Sequence, residues 1–199
     1  MNSTEFQNPI DRFNAWLTEA IANEGNENAT AMCLSTIGED DIPDSRMVLL
    51  KHADSLGFVF YTNLESQKGH QLKSHPKASL CFHWKGLGRQ IRVRGLVSSV
   101  SSQEADEYFA SRALQSQIGA WASKQSQRLE EPNSLQIRVD QFTKQFQDKP
   151  IPRPPYWSGF RISPLRIEFW LNKEFRLHER LIYFRSNESE SWQTESLYP

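Results

Sequence analysis

A chain of 199 residues is long enough to bury a substantial core and short enough to read as one domain, 1–199. Lys and Arg number 23 against 24 Asp and Glu, a formal charge of −1 that excludes a general attraction to nucleic acid or acidic membranes, so any anion site must be built from local basic clusters. No apolar run approaches the about 18 residues of a membrane span, Met1-Asn-Ser-Thr-Glu-Phe6 is no secretory leader, and Cys33 and Cys81 lie in apolar runs as buried packing thiols, so the expectation is a soluble protein of the reducing cytoplasm.

Ile10, Phe13, Trp16, Leu17, Ala20 and Ile21 recur at helical spacing behind Asn8-Pro9, which predicts an amphipathic helix over 9–23, ended by Gly25. Apolar-rich runs at 30–37, 45–52 and 58–62 alternate with turn-forming segments and predict an antiparallel meander. Within the second run, period two puts Arg46, Val48 and Leu50 on one face and Met47, Leu49 and Lys51 on the other. Residues 66–74 read as a short helix closed by His75-Pro76, and strands at 78–84 and 89–99 extend the sheet around Lys85-Gly-Leu-Gly88.

Helices are predicted at 103–111 and 115–122, and at 135–146 with Ile137, Phe142 and Phe146 turned inward. Pro150, Pro152, Pro154 and Pro155 enforce an extended connector, since each fixes φ and disfavours helix just before it. From Tyr156 the chain returns to strands at 159–163, 166–170, 175–178, 181–185 and 192–196. Many short strands with few long helices give a mainly β, α+β fold: a closed or nearly closed antiparallel barrel with peripheral helices. No P-loop, GxGxxG, nucleophile elbow or metal-spaced Cys/His cluster is present, so no metal site is expected.

Two constellations carry chemistry. Ile167-Glu-Phe-Trp170, a turn at 171–174 and Arg176-Leu-His-Glu-Arg180 read as a hairpin whose second strand places Arg176, His178 and Arg180 on one face, with Leu177 and Glu179 on the other. Three cationic or protonatable groups on one face repel unless an anion, a carboxylate or water lies among them, which marks a ligand site. Tyr108, Arg112 and Ser116 stand at i, i+4 and i+8 and form one donor stripe if the helix persists through Ala113 and Leu114.

Arg46-Met-Val-Leu-Leu-Lys51, Phe60-Tyr-Thr-Asn-Leu64, Ser66-Gln-Lys68, Arg89-Gln90, Ser116-Gln-Ile-Gly-Ala-Trp-Ala-Ser-Lys-Gln-Ser126 and Arg176-Leu-His-Glu-Arg180 resemble, in order, the motifs of the pyridoxine/pyridoxamine 5′-phosphate oxidase family. The resemblance covers nearly everything from residue 30 onward. It implies an FMN-binding split barrel, working as a homodimer with each flavin gripped from both subunits, and oxidising a phosphorylated B6 vitamer with oxygen. FMN would be held by Arg46, Met47, Val48, Leu49, Leu50, Lys51, Tyr61, Thr62, Gln67, Lys68, Gln90, Gln125, Ser126, Trp170 and Arg180. The resemblance makes Gln125-Ser126 and the segment from Trp170 to Arg180 the cross-subunit contributors.

On the same basis the substrate would meet Lys51, Tyr108, Arg112, Ser116, Arg176, Leu177 and His178. Arg176 and His178 would orient the reacting end, with a general-base role for His178 left open. Gln67 stands where the family commonly has Arg, Ala113 where it commonly has Pro, and no residue here matches the family's N-terminal arm. Two alternatives stay open: a related flavin oxidase acting on another substrate, such as a phenazine-type acid, and a non-catalytic flavin-binding module.

Overall fold

Phe13, fully buried, touches three rings of the sheet: Phe58 at 4.9 Å, Phe82 at 5.0 Å and Trp84 at 6.1 Å between centroids. The computed structural model describes residues 7–199, so the reading of Met1–Phe6 lies outside the described residues. Helix α1 (Pro9–Glu24) starts where the Asn8 side chain accepts the Ile10 N–H and Pro9 presets φ, and it stops at Gly25, φ 81°. Its apolar stripe buries Ile10, Phe13, Trp16 and Ala20 in the concavity of the sheet, with Trp16 edge-on to Phe169 at 5.3 Å. A five-residue helix, α2 (Asn26–Thr30), which the sequence did not announce, leads into the first strand.

Among the described residues nine antiparallel strands form one sheet: β1 (Ala31–Ile37), β2 (Pro43–Leu49), β3 (His52–Asp54), β4 (Gly57–Asn63), β5 (Lys77–Trp84), β6 (Arg89–Ser99), β7 (Trp157–Leu171), β8 (Glu179–Phe184) and β9 (Gln193–Leu197). The order is β2-β1-β5-β6-β7-β4-β3, with β8 on β7 and β9 on β8. The expected meander is therefore two separate hairpins, β1–β2 and β3–β4, at opposite ends of this path. Leu50 and Lys51 cause the split. The Leu50 N–H bonds to Thr30 O at 2.9 Å and the Lys51 N–H to Val59 O at 2.8 Å, so the chain crosses between the two ends within two residues. The sheet curls until β2 and β4 approach without sharing a ladder, giving a half-open barrel.

The two expected runs at 159–163 and 166–170 are one strand, β7, paired with β6 along its length through a register shift at Arg94/Gly95. Its first half also pairs with β4 and its second half with β8.

Three expectations are corrected. Residues 175–178 are not a strand: Glu174–Arg176 form a tight helical turn with φ 57° at Phe175 and 61° at Arg176, and pairing resumes only at Glu179. Side-chain alternation from Arg176 through His178 therefore does not occur. In α6 (Ser134–Gln145) Phe142 and Phe146 do pack on Trp121, at 5.6 and 5.4 Å, but Ile137 is 57% exposed. Cys33 and Cys81 are half-buried cross-strand partners on the outer face of the sheet, both as free thiols. Among the described residues no helix is long and apolar enough to cross a membrane.

Candidate functional site

The gap between β2 and β4, roofed by two helices, is a cavity of about 640 Å3, within the range of small-molecule sites. Gly159 is the reason an aromatic wall stands there. It lies opposite Tyr61 across β4 and β7, and a Cβ on it would meet the Tyr61 ring at 2.8 Å. The ring settles over the glycine and lies near-parallel to both Tyr108 (4.1 Å, 15°) and Trp157 (5.3 Å, 6°), whose own rings are 6.1 Å apart. Burial, then Glu104 and Tyr108, push the Tyr61 hydroxyl up to about 12, so it stays a neutral donor, directed at Glu104 O 3.4 Å away.

Helix α4 (Ser102–Ser111), capped by Ser101, carries Tyr108, and α5 (Leu114–Ala122) carries Ser116. The single helical stripe is not formed. Arg112 has extended ψ, 150°, and the Gln117 side-chain amide donates to Arg112 O at 2.8 Å, which fixes a sharp corner. The corner still delivers Tyr108, Arg112 and Ser116 to one cavity with Lys51. Arg112 lies over Trp157 at 4.8 Å and Phe109 at 5.6 Å; its Nη1 is buried without a hydrogen-bond partner. Burial lowers its pKa while Tyr108 opposes the shift. A half-buried guanidinium with a buried unmet donor, facing a cavity that also holds Lys51, Tyr108 and Ser116, is suited to an oxyanion.

At the other end of the cavity, Lys68 on α3 (Gln67–Ser74) is buried beside Ser66 and reaches Gln125 Oε1 at 3.4 Å, while the Thr62 hydroxyl donates to the same oxygen at 3.3 Å. Gln125 thus meets Thr62 and Lys68 within one chain and does not need a second subunit to reach them. Burial, then the charge of Arg46, lower the Lys68 pKa against the opposing Asp44. Arg46 itself is not on the cavity wall. It donates to Asp44, Thr36 and Gln71, and Asp44 is held below its ordinary value chiefly by the Gln71 amide, against burial, with help from Arg46.

Met47, Val48, Leu49, Lys51, Tyr61, Thr62, Lys68, Tyr108, Arg112, Ser116 and Gln125 therefore share one cavity. The other candidates do not line it. Leu50 is core, Gln67 is exposed at the start of α3, and Ser126, φ 70°, lines a neighbouring cavity of about 240 Å3. Gln90, Trp170 and Arg180 occupy one rung across β6, β7 and β8. The His178 ring sits 4.6 Å from that of Trp170, and its Nδ1 accepts the Lys173 N–H at 3.2 Å, closing the turn. Arg176 and Leu177 are exposed on that turn, Leu177 at 66%.

Two residues were missed in the sequence. Trp157, the platform under Arg112, is separated by one residue from Gly159 at the start of β7. Buried Glu168 lies within the quoted Ile167-Glu-Phe-Trp170, where an acid flanked by apolar residues was the available signal. Its Oε1 accepts from Arg180 Nε at 2.8 Å.

Residues 17–146 match the family model described as pyridoxamine 5′-phosphate oxidase, and residues 157–199 match the pyridoxine 5′-phosphate oxidase C-terminal dimerisation region. A pyridoxine/pyridoxamine 5′-phosphate oxidase of Bartonella quintana (strain Toulouse) is 54% identical over 196 residues, 98% of this chain and 94% of that protein. One of Caulobacter vibrioides is 53% identical over 193 residues, covering 97% and 86% of the two chains. Among solved structures, PhzG from Burkholderia lata 383, in complex with tetrahydrophenazine-1-carboxylic acid, superposes with a TM-score of 0.91 at 28% identity, covering 98% of this chain and 95% of that one. A pyridoxamine 5′-phosphate oxidase-related, FMN-binding protein from Nostoc punctiforme shares the fold at 17% identity, with a TM-score of 0.75 and 94% and 97% coverage. The chain belongs to the pyridoxamine 5′-phosphate oxidase family.

Proposed function

We propose that this protein is an FMN-dependent oxidase that converts pyridoxamine or pyridoxine 5′-phosphate to pyridoxal 5′-phosphate, with oxygen as acceptor and hydrogen peroxide as product. The observation that carries the substrate half is Arg112: a half-buried arginine whose Nη1 is buried and unpartnered, in a cavity shared with Lys51, Tyr108 and Ser116. That set suits a phosphate dianion, and a phenazine-type carboxylic acid would leave donors unmet. The residues also fit FMN. Lys68, flanked by Arg46, supplies the cationic end for a phosphate, and Thr62 and Gln125 supply neutral polar groups.

The reading includes a homodimer. Gln90, Trp170 and Arg180 line no part of the cavity that holds Lys68 and Arg112, and they stand within or beside the segment that matches the dimerisation region. A two-fold pair of chains lets the Trp170–Arg180 rung of each complete the cavity of the other, giving two equivalent sites.

Bound FMN supplies the two-electron acceptor, which oxygen restores. The chain supplies placement. Lys51, Tyr108, Arg112 and Ser116 hold the phosphate and so fix the register of the pyridine ring. The Tyr61, Tyr108 and Trp157 rings back that end of the cavity. Because His178 accepts at Nδ1 from Lys173, its neutral ring carries the proton on Nε2, which has no partner among the described residues and is free to orient the reacting end together with Arg176.

Anaerobic titration with pyridoxamine 5′-phosphate tests the reading. FMN-loaded protein is expected to bleach in proportion to substrate. Full retention of the oxidised spectrum would overturn the assignment in favour of a phenazine-type oxidase or a non-catalytic flavin carrier.

A further inference from the structure

Along the same outer face as the Gln90, Trp170 and Arg180 rung lies a second basic concavity, about 120 Å3, lined by Arg92, Arg94, Arg166, Glu168 and Arg180. It shares no lining residue with the cavity of Arg112. Period two builds it. Arg92 and Arg94 project from one face of β6, and the register sets Arg92 opposite Glu168 and Arg94 opposite Arg166 on β7.

Glu168, the one acid of the concavity, is engaged at both oxygens: Oε1 accepts from Arg180 Nε at 2.8 Å and pairs with Arg180 Nη2 at 2.8 Å, and Oε2 accepts from Arg92 Nη1 at 3.4 Å. Four guanidinium groups against one carboxylate leave a large uncompensated positive charge. Arg94 and Arg166 make no ion pair or side-chain hydrogen bond among the described residues. Like charges directly opposite in an antiparallel pair are destabilising, and the forks of two unpaired guanidinium groups across one rung offer parallel donors.

We propose that this concavity is a binding site for a phosphate-class oxyanion, gripped by Arg94 and Arg166 and bordered by Arg92 and the Glu168-anchored Arg180. The anion replaces the repulsion of the Arg94 and Arg166 rung with charge-assisted hydrogen bonds, as Glu168 does one rung away. The site is independent of the substrate reading, since it uses neither Arg112 nor Lys68.

Calorimetric titration of the full-length protein as purified, at ionic strength held constant with chloride, tests it with inorganic phosphate and with glycerol phosphate. Wild type, Arg112→Gln, Arg94→Gln and Arg166→Gln are compared. Arg112→Gln is expected to keep a binding event that Arg94→Gln and Arg166→Gln weaken by about 10- to 150-fold, the range for one hydrogen bond to a charged group. Binding of inorganic phosphate assigns the site to the free ion, and binding of glycerol phosphate alone assigns it to a monoester; either supports the proposal when Arg94→Gln removes it. In phosphate-free buffer Arg94→Gln should melt at or above the wild-type temperature, because the like-charge rung is relieved, whereas a purely structural arginine would melt lower when replaced. The proposal is overturned if Arg112→Gln alone abolishes all oxyanion binding, the result expected when carboxylates of a second copy fill the concavity. It is equally overturned if Arg94→Gln and Arg166→Gln bind as wild type does.

Discussion

The Arg112 guanidinium lies over the indole of Trp157, its central carbon 4.8 Å from the ring centroid, so a cation that leaves one helix is held in place by the first residue of a distant strand. The ring desolvates one face of the guanidinium while Nη1 is left unmet, which concentrates the demand for an anion at one atom.

Arg112→Ala should lower kcat/KM for pyridoxamine 5′-phosphate by about 10- to 150-fold and leave the poor activity on unphosphorylated pyridoxamine nearly unchanged. Arg112→Lys should recover only part of the loss, because an ammonium cannot bridge two phosphate oxygens while lying flat on Trp157. Steady-state kinetics of both variants on both substrates checks this. An equal loss on each substrate would assign Arg112 to the fold or the flavin.

Gly159→Ala should displace Tyr61, whose ring atoms stand 2.8 Å from where the new Cβ would sit, and so open the stack on Tyr108 and Trp157. Overpacking of this kind costs about 1–3 kcal/mol. The expected signature is a rise in KM for the phosphorylated substrate together with a lower melting temperature, and Tyr61→Leu in the same background should restore much of the stability.

Glu168→Gln removes the charge that anchors Arg180 and Arg92. The loss in unfolding free energy should be about 1–3 kcal/mol, below the roughly 3–5 of a fully buried pair, because the Arg92 and Arg180 side chains are 47% and 25% exposed. Denaturant titration measures it. Flavin affinity should fall in parallel, with turnover recovered at saturating FMN.

Asp44 titrates below its ordinary value because the Gln71 amide, against burial, and Arg46 favour the carboxylate. A depressed folded pKa contributes stability that is fully present above the unfolded value of about 3.9 and is lost as pH falls through the lowered one. Asp44→Asn should therefore melt below wild type at neutral pH, and the two curves should converge on acidification below about pH 3.9. A gap that stays constant down to the acid limit would mean that Asp44 does not couple to Arg46 and Gln71 through its charge.

Period and punctuation in the sequence determined α1, the strand pairs β1–β2 and β5–β6, the short helix that carries Lys68, and the extended proline connector, because each rests on local rules: apolar spacing, turn residues, a fixed φ. The ordered motifs likewise determined the family. Only the tertiary structure decided which of those motif residues meet. Leu50 and Lys51 look like the continuation of a strand, yet two long-range backbone hydrogen bonds turn them across the barrel and open the cavity. The turn after β7 reads as strand by alternation, but positive φ at Phe175 and Arg176 ends the period, and no local signal marks it. Glu168 looked like one acid in an apolar run; cross-strand register alone puts it against Arg180 and Arg92. Register and chain crossing are set by contacts between residues far apart in sequence, and these decided how the site residues divide between the Arg112 cavity and the Trp170–Arg180 rung.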